Sequence, residues 1–144
     1  MQVIAAITAK IPVWSLEGGV EMPTLALNTA GLTVDGTERA VRLALAAGIT
    51  HVDFHPGTER DGVALAIRSG APRAGLFLTT KIDKARTGTT PAAAAAMARA
   101  QIDADLRALR VDSVDMLMLR DSPDPAVIQA QWAVLEEARK SGNP

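Results

Sequence analysis

Asp53, His55, Lys81 and Arg120 each stand at or just beyond the end of a short apolar run. A carboxylate and an ammonium so placed bring opposite charges to neighbouring strand ends. An imidazole titrates near neutrality and can take or give a proton. A guanidinium grips carboxylate or phosphate in a planar fork of N–H groups. Asn28 and Thr29 close another such run with small polar side chains, and Asp121 follows Arg120. What is missing narrows the chemistry further. The absence of Cys removes thiolate nucleophiles, disulfides and Cys-ligated zinc, and two His, at 51 and 55, do not make a His-rich metal site, so none is expected. There is no Tyr, and hence no phenol anywhere in the chain.

The runs that carry these residues are strand-length: Thr24–Thr29, Ile49–Asp53, Leu76–Lys81 and Val114–Leu119. Each alternates with a helical signal. TERAVRLALAAG places Val41, Leu45 and Gly48 near one face, with Gly48 as its C-cap, and GVALAIRSG ends at Gly70. Thr90-Pro91 opens PAAAAAMARAQIDADLRALR, whose Met97, Ile102, Leu106 and Leu109 predict one buried stripe. Asp124-Pro125 opens PAVIQAQWAVLEEARKSG, with Arg139 and Lys140 in the last turn, where the helix dipole favours cations. Ahead of these, VWSLEGGVEMPTL predicts a hairpin turning at Gly18-Gly19. Strand–helix alternation on this scale predicts an α/β fold: an N-terminal hairpin plus four βα units around a parallel sheet. The C-terminal strand ends then meet on one rim, where sites in such folds are built.

At 144 residues the chain is too short for a closed eight-stranded (β/α) barrel of roughly 250 residues. The expectation is a single domain over 1–144, with residues 1–23 as the hairpin segment and 24–144 as four βα units, half of a (β/α)8 TIM-type barrel. Apolar residues at 48% against 22% charged support a packed core and exclude general disorder. A net charge of −1 gives no electrostatic footprint for nucleic acid or anionic membrane. No apolar run reaches the roughly 18–20 residues that cross a bilayer. The opening MQVIAAITAK lacks the pattern of a signal peptide. A soluble protein of the cytoplasm, or of an organelle stroma or matrix, is the expectation.

Taken in order, MPTLALNT, AVRLALAAGITHVDFH, IRSGAPRAGLFLTTK, DLRALRVDSVDMLML and WAVLEEARKSG resemble an aldo-keto reductase, collinearly from about Ile11 to Gly142. The resemblance implies a (β/α)8 barrel whose bottom is closed by the N-terminal hairpin and which reduces carbonyls with NADPH. It covers only the first half of that barrel. Most groups that grip the cofactor come from the second half, so NADP is implied by the resemblance but not expected to bind this chain alone. The family's catalytic set is Asp, Tyr, Lys and His: the phenol donates the proton, the Lys paired with Asp lowers its pKa, and the His orients substrate. Asp53 matches the Asp of the H-I-D motif and Lys81 the Lys ending T-T-K. The Tyr falls where this chain has Gly57-Thr58-Glu59, and the His where it has Leu119-Arg120-Asp121. A Thr hydroxyl is a far weaker acid than a phenol, so Thr58 does not take over. The resemblance also places Thr29 and Asp53 beside the cofactor, although G-L-G-T is here Ala26-Leu27-Asn28-Thr29, which narrows that space.

Each candidate carries two readings. Asp53 with Lys81 is an inherited ion pair, retained because removing either partner strands the other's charge, or a catalytic pair. His55 is an exposed loop imidazole or the rim's acid/base group, and His51, inside a strand, packs or hydrogen-bonds structurally. Arg120 binds an anion or pairs with Asp121 or a neighbouring Asp. Trp132, beside Leu135, is core or interface. Three functions follow. The favoured one is a catalytically degenerate structural or accessory subunit of a larger assembly. The second is an NADPH-dependent carbonyl oxidoreductase, active only when the second half-barrel is supplied in cis or trans. The third is a repurposed proton-transfer enzyme using Asp53, His55 and Lys81. A half-barrel also leaves two open strand edges, to be covered by a second copy or another protein. The concave face is expected to carry Leu25, Val52, Phe77 and Leu117.

Overall fold

The computed structural model describes residues 10–142, so MQVIAAITA at the start lies outside the described residues. Strands β1 (Val13–Ser15) and β2 (Glu21–Pro23) form an antiparallel hairpin. Gly18 and Gly19, at φ +82° and +80°, turn it in the left-handed region where side chains are disfavoured. Then come β3 (Ala26–Asn28), α1 (Val34–Ala46), β4 (His51–Asp53), α2 (Thr58–Arg68), β5 (Phe77–Lys81), α3 (Pro91–Leu109), β6 (Met116–Met118) and α4 (Pro125–Lys140). The strands β3-β4-β5-β6 lie parallel in chain order.

Helix starts follow side-chain caps. Thr33 Oγ1 accepts from the Gly36 amide, Thr90 Oγ1 from Ala93, and Asp124 from Ala126, with Pro at the first position of α3 and α4. Thr33 begins α1 earlier than TERAVRLALAAG suggests. The C-cap of α1 is Ala47, not Gly48. Gly48 follows it, donating to Leu45 O while Ile49 donates to Ala44 O, a Schellman closure that turns the chain into β4. Helix α2 also starts earlier than GVALAIRSG, at Thr58. Gly57, at φ +88° and ψ −128°, adopts a backbone conformation open to glycine and lets the helix begin immediately behind it.

The strands are shorter than the apolar runs because their flanks hydrogen-bond elsewhere. The Thr24 amide and hydroxyl both donate to Pro12 O beside the hairpin, and the Ile49 amide closes α1.

Strand alternation divides the sheet into two faces. Leu27, Val52 and Leu78 are in register, as are Thr80 and Leu117, and this layer packs against the helices. One cluster joins Val52, Phe54 and Leu78 to Val41, Val63, Ala66 and Leu109; a second joins Ile82 to Ile102, Val134 and Leu135. Fully buried side chains such as Leu78 and Phe54 contribute roughly 1.5–3 kcal/mol each. The opposite face carries Ala26, His51 and Phe77, then Asn28, Asp53, Thr79 and Met116, then Lys81 and Met118. Of the four residues expected on the concave face, only Phe77 is there. Val52 and Leu117 belong to the helix-facing layer, and Leu25 lies half-exposed ahead of β3. The buried stripe of α3 is Ala94, Ala98, Ile102, Asp105 and Leu109, while Met97 is exposed. No helix among the described residues is long and apolar enough to cross a membrane.

Candidate functional site

Lys81, the last residue of β5, donates from Nζ to Asp53 Oδ1 at the end of β4, with Phe54 O 3.4 Å away. Both side chains are mostly buried. The pair is held from behind by a polar strut. Gln101 on α3 donates to Lys81 O at 2.7 Å and accepts from the Asp83 amide at 2.8 Å, so it fixes the backbone on either side of Ile82. Next to it Asp105, buried in α3, accepts from Arg60 of α2 at 2.8 Å, and Arg60 also pairs with Asp61. Burial pushes the Asp105 carboxyl above its ordinary range, against the pull of Arg60 and Gln101.

The second centre of the rim is Glu59, in the first turn of α2. Its carboxylate accepts from the Gly31 amide at 3.1 Å, the Thr29 hydroxyl at 3.1 Å, the His55 amide at 2.9 Å and His55 Nδ1 at 3.0 Å. Burial raises the pKa of this carboxyl, but the His55 amide and ring, the Gly31 amide and the Thr29 hydroxyl outweigh it and hold the group below its ordinary range. Thr29 Oγ1 also lies 3.1 Å from Asp53 O, so one buried hydroxyl touches both the start of α2 at Glu59 and the end of β4 at Asp53. Asn28 turns back to accept from the Ala30 amide at 2.8 Å.

The structure thus brings Asp53, Lys81, Thr29 and His55 onto one rim. His55 is not a free loop imidazole: Glu59 holds it, and its side chain is 33% exposed. Arg120 is exposed and does not pair with Asp121, which is held by Lys84 at 2.8 Å. His51 is structural: Nε2 meets Thr79 Oγ1 at 2.8 Å, Nδ1 meets Pro23 O at 3.0 Å, and its ring stands edge-on to Phe77. It pins the hairpin to the sheet. Trp132 is not core; it is 54% exposed on α4. Glu59 is the functional candidate that residue types did not single out. Its only signal was its place in the Gly57-Thr58-Glu59 stretch.

Hairpin, parallel βα units and an Asp–Lys pair on adjacent strand ends describe one class of protein. Over residues 24–143 the chain matches the aldo/keto reductase family, and it belongs to that family. It is 40% identical over 109 residues to an aldo-keto reductase of Mycobacterium ulcerans, covering 74% of this chain and 36% of that protein. It is 34% identical over 137 residues to an aldo-keto reductase of Mycobacterium leprae, covering 92% and 46%. The crystal structure of an aldo/keto reductase from Brucella melitensis superposes with a TM-score of 0.80 at 28% identity, over 93% of this chain and 50% of that one. The chain therefore spans half or less of the length of the relatives it matches.

Aldo-keto reductases typically use NADP(H). A dinucleotide needs cations and free amides for its phosphates; at this rim Lys81 is engaged by Asp53, and the Gly31 and His55 amides by Glu59. Among the described residues, the buried side-chain polar atoms that lack a partner, Thr37 Oγ1 and Thr80 Oγ1, lie on α1 and on the helix-facing side of β5.

Proposed function

We propose that this chain is a structural or accessory half-barrel of the aldo-keto reductase family, and that it does not reduce carbonyls by the family's route. One observation carries the reading: the Asp53–Lys81 pair is in place at the rim, but none of the 144 residues is a Tyr. Without a phenol, the paired ammonium has no proton donor to tune. Glu59, in the stretch where the resemblance puts that phenol, is an ionised acceptor and not an acid. Asp53 with Lys81 then acts as an ion pair that locks two strand ends, and Arg120 is a surface cation. Thr29 joins the two strand-end loops and holds no cofactor in this chain alone.

The partner in this reading is a protein, a second copy or a different chain, seated along the open edges of β3 and β6. Met118 at the end of β6 and Trp132 on α4 are both exposed beside one such edge. The compartment is a soluble one, cytoplasm or organelle matrix. The alternative, a reductase completed by a second half-barrel supplying the NADP site, requires that half to bring its own proton donor as well.

The test is a titration of NADPH fluorescence with the purified chain, followed by NADPH absorbance in the presence of an aldehyde. Neither micromolar binding nor turnover is expected. Turnover that disappears in Lys81→Met overturns the proposal.

A further inference from the structure

The rim contains an imidazole arranged for work that the Asp53–Lys81 pair does not do. Glu59 touches His55 twice, at the backbone amide and at Nδ1, and both contacts fall on Oε2. A carboxylate tied at one oxygen to the amide of the same residue whose ring it holds leaves that ring little freedom about its side-chain torsions. The carboxylate is itself fixed from the β3 side, by the Gly31 amide at Oε1 and the Thr29 hydroxyl at Oε2. An ionised carboxylate only accepts hydrogen bonds, so Nδ1 must carry the proton. The neutral ring then has its lone pair at Nε2. Among the described residues nothing hydrogen-bonds Nε2, and the side chain is one-third open to solvent, whereas Glu59 is only 13% exposed. A carboxylate buried behind a partly exposed imidazole whose far nitrogen has no partner among the described residues has the form of a general base with its orienting group.

The same geometry restricts the substrate. Hydrolysis of an ester or amide passes through a tetrahedral oxyanion that needs preorganised N–H donors. The two amides that share Glu59 with the ring, Gly31 and His55, are already committed to it, and Lys81 is committed to Asp53 and Phe54 O. A substrate that delocalises its own developing charge needs no such donors. The geometry points to a proton-transfer site at His55 Nε2, positioned by Glu59, whose substrate is a small carbon acid: a molecule with a C–H bond made acidic by an adjacent electron-withdrawing group. In the step, the C–H bond breaks and an N–H bond forms at Nε2. The bonding pair passes into the withdrawing group, and the proton leaves the imidazolium to solvent or to another atom of the substrate. Neither an oxidant nor a nicotinamide takes part. The reading is independent of the accessory role proposed above, since an NADPH assay is blind to it.

The probe is 5-nitrobenzisoxazole, whose C3 proton is taken by a base while the N–O bond breaks to give a coloured cyanophenolate. The background is unusually clean, because the chain has no Cys or Tyr and its other His has both ring nitrogens engaged. The expected rate is about 10²-fold above buffer, returning to the buffer rate in His55→Gln and falling roughly tenfold in Glu59→Gln. Ring ¹⁵N spectra of the unaltered chain provide a reading that needs no variant. Neutral His55 is expected as the Nδ1–H tautomer, with that preference lost in Glu59→Ala, which removes the acceptor. An unaltered chain no faster than His55→Gln, or an Nε2–H tautomer in its spectrum, overturns the proposal.

Discussion

The Thr80 hydroxyl is buried in the helix-facing layer of β5 with no hydrogen-bond partner, so the fold carries its desolvation without return. Thr80→Val keeps the shape and removes the cost. We expect a gain of about 1 kcal/mol in urea unfolding; a loss would show that the hydroxyl is satisfied in solution. Glu59 gives a second test. Its folded pKa lies below the ordinary value, so its contribution is complete above the unfolded carboxylate pKa and is lost as pH falls through the folded one. Stability measured along an acid titration should therefore fall less steeply in Glu59→Gln than in the unaltered chain; parallel curves would contradict the assignment. Asp53 and Lys81 were legible as strand-end residues of one rim because each ends an apolar run, and it was the resemblance that made them a pair. Glu59 and Asp105 were not legible. A carboxylate in the first turn of a helix, or among Ala and Leu on α3, looks the same in sequence whether it faces water or a set of hydrogen-bond donors.

Between α1 and α2 the contact depends on a missing side chain. A Cβ on Gly62 would run into the Thr37 side chain and stand 2.6 Å from Val34 O, so the two helices approach closely only because position 62 is bare. Gly62→Ala should cost about 1–3 kcal/mol, despite alanine's better helix propensity; chemical denaturation that shows stabilisation would contradict the close approach. The elements show what local signals can and cannot give. Thr90-Pro91 and Asp124-Pro125 mark helix starts because a cap is made by residues three apart or fewer. The start of α2 was hidden, because Pro56-Gly57 has the composition of a loop, and the conformation that turns it into a helix entrance is invisible in residue type. The face of each strand was hidden as well. A continuous apolar run such as VDMLML offers no alternation, and the helix layer, not hydrophobicity, decides that Leu117 goes inward and Met118 stays exposed.

At the scale of the molecule, β3 and β6 each present an edge that no described strand covers, with Met118 and Trp132 exposed beside one of them. Uncovered parallel edges are templates for further pairing. We expect light scattering at tens of micromolar to show association, together with binding of a dye that reports apolar surface; a monomer that binds no dye would show that the four-stranded sheet stands by itself. The α/β class and the strand order were readable because strand–helix alternation leaves few topologies open. The polar strut of Arg60, Asp105 and Gln101 was not, since it joins α2 to α3 across 45 residues of sequence. The parallel order has one more consequence, which concerns time. Helix α1 packs on α2, α2 on α3 and α3 on α4, and within the parallel sheet each strand from β4 on pairs with the one made just before it. Each βα unit after the first thus finds its docking surface already synthesised, whereas the hairpin turn meets α4, through Glu17 and Arg139, only at the end. Assembly of the four units can proceed as a zipper from β3 onward, each docking on the one made before it.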